Sequence, residues 1–408
     1  MKMITDNKAL TQACQKLATS RYITLDTEFI REKTFWPELC LIQAAMPQYE
    51  VLIDPLAEGL DLTPFYELLR NKQVIKVMHG CRQDVEIFYH QAKLIPAPLM
   101  DTQVMAMVCG FGNAVSYEML ARRLTNVKLD KGSRFTNWAQ RPLSDKQTAY
   151  ALADVTHLRD IFEKLEAKMR TNGRLDWVVE EMADLTNEAT YLQLPKNAWK
   201  RFRIYDNRLH VMGILFKVAA WREVMAQKRN IPRGRVLKDD TIREIALQAP
   251  KDAAAIEELR SIPKGFMRSH YAKGLIQAVL EGQQMEKQDL PNYPKMVGNR
   301  AGIGPLVELL KVLLKQCCKT HDVAPKLIAK TEDLERLASE ESPDISILSG
   351  WRYDIFGKAA LDLKHGRIAL TCINDEITFV PVNTPETDTQ TDQEQPPANA
   401  KKLKEVAD

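Results

Sequence analysis

The stretch YITLDTEFI, Tyr22 to Ile30, alternates like a buried strand yet sets two acids, Asp26 and Glu28, among its apolar residues. Positions two apart in a strand share a face and stand about 6 to 7 Å apart along the chain. Two ionised carboxylates converging there repel each other and are costly to desolvate unless a cation sits between them. A hard divalent ion, which takes oxygen ligands, meets that need. A strand that ends near Asp26 and leaves both acids in water serves the tripeptide DTE as well, so other acids have to decide.

Two more are available. Asp84 lies in CRQDVEIF, near the start of a helix just beyond the strand-like VIKVMHG, a place where open α/β sheets carry ligand groups. Taken alone it is equally an acid offsetting the helix dipole, and His79 before it reads as a satisfied core histidine. In YALADVTHL, Tyr150 and Asp154 are four apart and so share one helix face, one turn apart. An acid among Ala, Leu and Val is out of place on such a face, and a Tyr beside it can hold or deprotonate a water. For this pair alone, a core Tyr with an exposed Asp is the alternative.

Strand and helix signals alternate over about the first 170 residues, as an α/β domain requires. YITLDTEF, LCLIQAA, YEVLIDP and VIKVMHG are short β-rich runs, the first three close enough for an antiparallel meander. Helical spacing follows in CRQDVEIFYHQA, DTQVMAMVCG, SYEMLARRL and the long run from Ser144, with Asp101, Ser116 and Ser144 as N-caps. Beyond Gly173 the chain becomes helical until RIALTCI and EITFVPV, which form a hairpin around NDE or stay loosely attached.

The helical part repeats. NIPRGRVLKDDTIREIA aligns with DVAPKLIAKTEDLERLA, pairing Val236 with Ile328 and Lys238 with Lys330, and GFMRSHYAKGLI aligns with GWRYDIFGKAAL, pairing Gly265 with Gly350. Each copy opens with a long apolar helix, so two copies of one helical module of about 80 residues are expected, a size that can fold alone. The division is 1–172 for the α/β domain, 173–205 for a helical linker, 206–288 and 296–370 for the two modules, and 381–408 for a tail. The tail, rich in Pro, Thr, Gln and acids, is expected to be disordered.

With 408 residues, 45% hydrophobic and 27% charged, the composition is that of an ordinary globular protein. Seven scattered Cys with no CxxC suggest neither a disulfide framework nor a zinc site, and fit a reducing cytoplasm. No signal peptide and no membrane-spanning run is evident. These features predict a cytoplasmic protein with no membrane association. No feature demands a dimer or an obligate protein partner, so a monomer is expected.

LDTEF, HGCRQD and YALAD stand in the order of the three exonuclease motifs of the DEDD superfamily, and the form Y-x-x-x-D resembles its DEDDy branch. DTEFIREKTFWPELCLIQ and PLMDTQVMA resemble ribonuclease D, and the repeated module resembles the HRDC domain of ribonuclease D and RecQ-type helicases. The resemblance runs from Met1 to about Ile368. It implies an RNase H-like fold, a mixed sheet flanked by helices, followed by two all-α HRDC-type domains. It further implies a 3'-5' exoribonuclease that trims tRNA precursors with 3' extensions and other small structured RNAs to nucleoside 5'-monophosphates. By the same resemblance Asp26 bridges two metals, Glu28 and Asp154 complete the first, Asp84 holds the second through water, and Tyr150 orients or deprotonates the attacking water. Four formal negative charges balance two divalent ions, and hard oxygen ligands favour Mg or Mn over Zn.

Carboxylate chemistry does not distinguish RNA from DNA. A DNA-directed exonuclease with the same site and an inactive RNA-binding scaffold are the rival readings; a helicase is disfavoured because no GxxxxGK[ST] occurs. Residues 201–282 hold 16 basic against 9 acidic residues, whereas 296–380 hold 11 against 12. The first module is therefore the better candidate for the RNA backbone, with Arg229, Arg233, Arg235 and Lys238 as its patch. Phe35 and Trp36 are candidates for wedging against terminal bases. Trp221 and Tyr271 read as core aromatics.

Overall fold

The structure is a computed structural model that describes residues 3–130, 132–203, 206, 208–291 and 302–382. Of the tail expected over 381–408, Pro381 ends the last strand instead, because it pairs with Ile368, and residues 383–408 lie outside the described residues. The first part consists of β1 (Met3–Ile4), α1 (Asn7–Leu17), β2 (Tyr22–Ile30), β3 (Glu38–Met46), β4 (Tyr49–Ile53), α2 (Thr63–Arg70), β5 (Ile75–Met78), α3 (Arg82–Ala92), β6 (Leu99–Asp101), α4 (Thr102–Val108), α5 (Tyr117–Leu120), α6 (Asp145–Thr171) and α7 (Leu175–Thr186). The six strands form one mixed sheet in the order β1-β4-β3-β2-β5-β6. β2, β3 and β4 make the expected antiparallel meander, while β5 joins β2 in parallel.

Alternation along β2 sorts its side chains between two cores. Ile23 and Leu25 pack with Leu10, Phe65 and Phe88 from α1, α2 and α3. Tyr22 faces α6, with its ring 4.9 Å from that of Phe162, and the Thr24 hydroxyl donates to the Val155 carbonyl at 2.8 Å. Asp26 and Glu28 continue this second face. α6 starts where the sequence predicts: Ser144 caps it, accepting from Gln147 N, and the Gln147 side chain reaches back in a capping box. Asp101 and Ser116 cap α4 and α5 by accepting from Gln103 N and Met119 N.

The first module comprises α8 (Leu209–Arg229), α9 (Arg233–Val236), α10 (Asp239–Gln248), α11 (Ala253–Glu257) and α12 (Ala272–Gln283). The second comprises α13 (Gly304–His321), α14 (Pro325–Ile328), α15 (Thr331–Ser339), α16 (Gly350–Arg352) and α17 (Lys358–Lys364), and the chain closes with the hairpin β7 (Ile368–Ile373) and β8 (Glu376–Pro381). Asn374 and Asp375 turn that hairpin at positive φ, as a two-residue loop between antiparallel strands requires. The repeat seen in the sequence is a repeat of elements: α9 and α14 fall in register, and Gly265 and Gly350 both sit at positive φ.

Asn230 and Asp322 end the leading helix of each module in the left-handed conformation, and each docks its module on the exonuclease-motif domain. The Asn230 side-chain oxygen accepts from Phe35 N at 3.1 Å and Trp36 N at 3.0 Å. The Asp322 carboxylate accepts from Lys168 at 2.9 Å, and its carbonyl accepts from Arg174. The two dockings differ in kind. The second module shares one continuous apolar core with α4, α6 and α7, in which Met105, Leu158 and Val178 join Leu310, Leu337 and Phe356. The segment expected as a linker contributes to that seam: Trp177 of α7 stacks on Trp351 at 4.3 Å, and Glu180 and Glu181 pair with Arg352. Among the described residues no helix is long and apolar enough to cross a membrane, and the seven cysteines are unpaired.

Candidate active site

β2 delivers Asp26 and Glu28 just before a register shift between Glu28 and Phe29, and α6 crosses the same face carrying Asp154. One carboxylate oxygen from each of the three lies within 4.8 Å of the others. Tyr150, one turn before Asp154, stands close enough to that carboxylate to lower its pKa and lies beside the buried Trp138 ring, 6.0 Å away. Asp84 sits in the first turn of α3, buried, and accepts a hydrogen bond from the Thr27 hydroxyl. It stands outside the three-carboxylate group but close enough to raise the pKa of Asp26. Its helix is aimed by Asp101, whose two carboxylate oxygens each accept at 2.9 Å, one from Gly80 N and one from Cys81 N.

The electrostatics are those of a site built for a cation. Burial, then repulsion from Asp84, Asp154 and Glu28, holds the Asp26 carboxyl well above its usual range. Burial and the neighbouring Asp154 push Glu28 to about 9. Burial also raises Asp84 and Asp154 to about 7 each, against the relief of hydrogen bonds from Thr27 and Tyr150. Nothing in a protein gains by placing like charges together out of water, so the donor set fits hard divalent ions. Gln43 strengthens the fit: it pairs with Asp26 in the strand register, is fully buried, and neither atom of its amide has a partner among the described residues. A water or an ion's hydration shell satisfies such a group.

Sequence reasoning missed several contributors. Thr27, Gln43 and Asp101 act through register and turn geometry, which no local pattern displays. Arg134 is the positive charge felt by Glu28 and Asp154. It precedes the solvent-exposed Phe135 on a loop that Gln147 of α6 ties down through Thr136. Basic residues next to aromatic ones in a loop before the Tyr motif were the available signal.

The expected RNA-contacting residues separate. Phe35 is only 2% exposed, packed against Ala226 and Val236 of the first module. It cannot wedge against a base; it is a docking residue, buried because the module closes over it. Trp36 is half-buried and stacked on His90 at 4.0 Å. Arg233 caps the Phe35 ring at 4.3 Å and pairs with Glu223 through both carboxylate oxygens, so it belongs to the same seam rather than to a free basic patch. Arg229 lies over Tyr271 at 5.2 Å and is exposed, as are Arg235 and Lys238. Trp221 and Tyr271 meet edge to face, partly buried in the first module.

A family model described as a 3'-5' exonuclease matches residues 1–170, and one for the HRDC domain matches residues 212–279. The chain is 47% identical over 370 residues to ribonuclease D of Nitrobacter hamburgensis, covering 91% of this chain and 97% of that one. It is 46% identical to ribonuclease D of Jannaschia, covering 93% of this chain and 99% of that one. Among solved structures, RNase D of Escherichia coli, described as an exoribonuclease involved in structured RNA processing, superposes with a TM-score of 0.77 at 26% identity. That alignment covers 90% of this chain and 98% of the other.

Proposed function

Since the chain belongs to the ribonuclease D family, we propose that this 3'-5' exoribonuclease trims the 3' ends of tRNA precursors and other small structured RNAs by metal-assisted hydrolysis. The observation that carries the reading is the convergence of Asp26, Glu28 and Asp154, with Tyr150 one helical turn from Asp154. Asp26, Glu28 and Asp154 would hold one divalent ion, and Asp26 with Asp84 a second, Mg or Mn by the hardness of the ligands. Bound there, the two ions supply an activated water and charge neutralisation at the leaving oxygen.

The chain's own groups do the rest. Asp84, fixed by Thr27, and Asp154, fixed by Tyr150, are held in place before substrate arrives, which lowers the cost of organising the site. Burial and then Asp154 push the Tyr150 phenol well above its usual range. It therefore stays protonated and orients the attacking water by hydrogen bonding. Water adds to the phosphorus of the terminal linkage, the bond to the 3'-oxygen breaks, and a nucleoside 5'-monophosphate leaves while the shortened RNA keeps a 3'-hydroxyl. The three-dimensional setting of the first module, rich in exposed cations, supports engagement of the body of a folded RNA.

The test is a 5'-labelled tRNA carrying extra 3' nucleotides, beside matching single-stranded DNA, incubated with the full chain in Mg, Mn or chelator. Stepwise shortening of the RNA that needs metal and disappears in Asp26→Asn is expected. Shortening of DNA alone would overturn the RNA assignment, and a near-normal rate for Asp26→Asn would overturn the site.

A further inference from the structure

A cleft of about 320 Å³ opens between α3, the connection around 190–201 and the first module. It is lined by four arginines, Arg31, Arg82, Arg201 and Arg233, against a single acid, Glu86. Two of the arginines have carboxylate partners: Arg31 is bound by both oxygens of Glu86, and Arg233 by both oxygens of Glu223. The other two differ. Arg82 and Arg201 are exposed, and neither guanidinium has an ion pair or hydrogen bond among the described residues. Two charges therefore stand uncompensated in a concave, polar space.

The location of the cleft says what the charges are for. Arg82 opens α3 two residues before the buried Asp84, and Arg31 follows the end of β2 three residues after Glu28, so the cleft adjoins the two elements that carry these carboxylates although none of the site's carboxylates lines it. Tyr191, another lining residue, lies near enough to feel the charges of Arg82, Asp101 and Asp84. Tyr191 is the one aromatic residue of the lining and is 3% exposed, so the cleft offers no ring on which a base could stack. What remains is a set of planar forks whose geometry matches phosphate oxygens.

We propose that this cleft binds the phosphodiester backbone of single-stranded RNA upstream (5') of the scissile linkage, with Arg82 and Arg201 on successive phosphates. The assignment rests on the exoribonuclease reading and extends it: the exonuclease-motif domain and the first module together form the path along which the substrate strand leaves the carboxylates. Recognition through phosphates alone makes this path indifferent to sequence, as an enzyme that removes whatever nucleotide comes last requires. The bidentate pairs Arg31–Glu86, within the exonuclease-motif domain, and Arg233–Glu223, within the first module, stiffen the wall that each contributes to the cleft.

The experiment compares the wild-type full chain with Arg82→Ala/Arg201→Ala, in chelator so that RNA stays intact. Binding of a 5'-fluorescent single-stranded dodecaribonucleotide and of a diribonucleotide is titrated over a range of salt. The variant is expected to bind the dodecamer about tenfold more weakly at low salt, with a salt slope shallower by about 1.4, the value for two phosphate contacts to a single strand. The dinucleotide is expected to shift less than about twofold, and Arg82→Lys/Arg201→Lys to recover most of the slope, because the charge is kept. An unchanged slope for the dodecamer overturns the proposal and gives the cleft to another anion, such as an acidic protein segment. An equal loss on both oligonucleotides overturns it too, placing the effect at the terminal nucleotide. Metal-dependent trimming by the wild type, and its loss in Asp26→Asn, reports on the exoribonuclease reading separately.

Discussion

At the scale of the residue, the carboxylates make a prediction about the metal-free protein. Burial first, and neighbouring acids second, hold Glu28 at about 9, and burial holds Asp84 and Asp154 at about 7. Unfolded carboxyls titrate near 4. The folded chain thus binds more protons than the unfolded one between these limits, and stability falls as pH rises through them. In chelator the melting temperature is expected to drop between pH 6 and 9, and saturating Mg to remove most of that drop, since an ion replaces the protons. A chelated protein whose melting temperature is flat over that interval would contradict the site's electrostatics. Tyr150→Phe is expected to lower kcat by roughly 10² to 10³ with KM little changed, the range for losing one preorganised hydrogen-bond donor; single-turnover kinetics checks it. The acids of β2 were readable because a spacing of two in a strand forces a shared face, and Tyr150 with Asp154 because four in a helix does the same. Gln43 and Thr27 were not, since their importance comes from the strand across the ladder and the helix beyond it.

At the scale of the element, α6 is the beam on which Tyr150 and Asp154 ride. Its capping box places Ser144 and Gln147 at the entrance, and Gln147 also holds Thr136 of the Arg134 loop. Ser144→Ala is expected to cost about 1 kcal/mol of unfolding free energy, as N-cap removal does, measured by urea denaturation. The cap was legible from Ser-x-x-Gln before an apolar run. Phe35 was not, because an aromatic pair in a loop after a strand carries no periodicity; its burial is decided by α8 and α9, nearly 200 positions later. Phe35→Ala is therefore expected to cost about 3 to 5 kcal/mol, the toll of a cavity under a buried ring. A surface wedge would cost less than about 0.5 kcal/mol, so the same denaturation measurement separates the two roles.

At the scale of the whole molecule, the two modules repeat in sequence and diverge in task. The first docks through a small seam around Phe35 and keeps its exposed cations, whereas the second has merged its core with α4, α6 and α7. Gly110 marks how close the second approaches: a Cβ there would stand 1.9 Å from an oxygen of Asp322. A chain truncated after residue 291 is expected to expose that apolar surface, bind a hydrophobic dye and aggregate; a stable, monomeric truncated protein on size exclusion would refute the shared core. The repeat was visible because apolar positions and glycines recur at fixed offsets. The docking was not, since Asn230 and Asp322 are polar helix ends that look alike in any helical protein, and only the surface each one meets distinguishes them.

The shared core also sets a timetable for synthesis. Arg352 meets Glu180 across 172 positions of chain, so at about 5 to 20 residues per second the ribosome takes on the order of 10 to 30 s between making one and the other. During that interval the nascent nuclease lacks part of the wall behind α4 and α7, while the message that encodes it is still being read. Nascent chains arrested before Trp351 emerges are expected to be cut by protease within α7, and chains released whole to resist. The core behind α4 and α7 thus closes only once residues around Arg352 have been made.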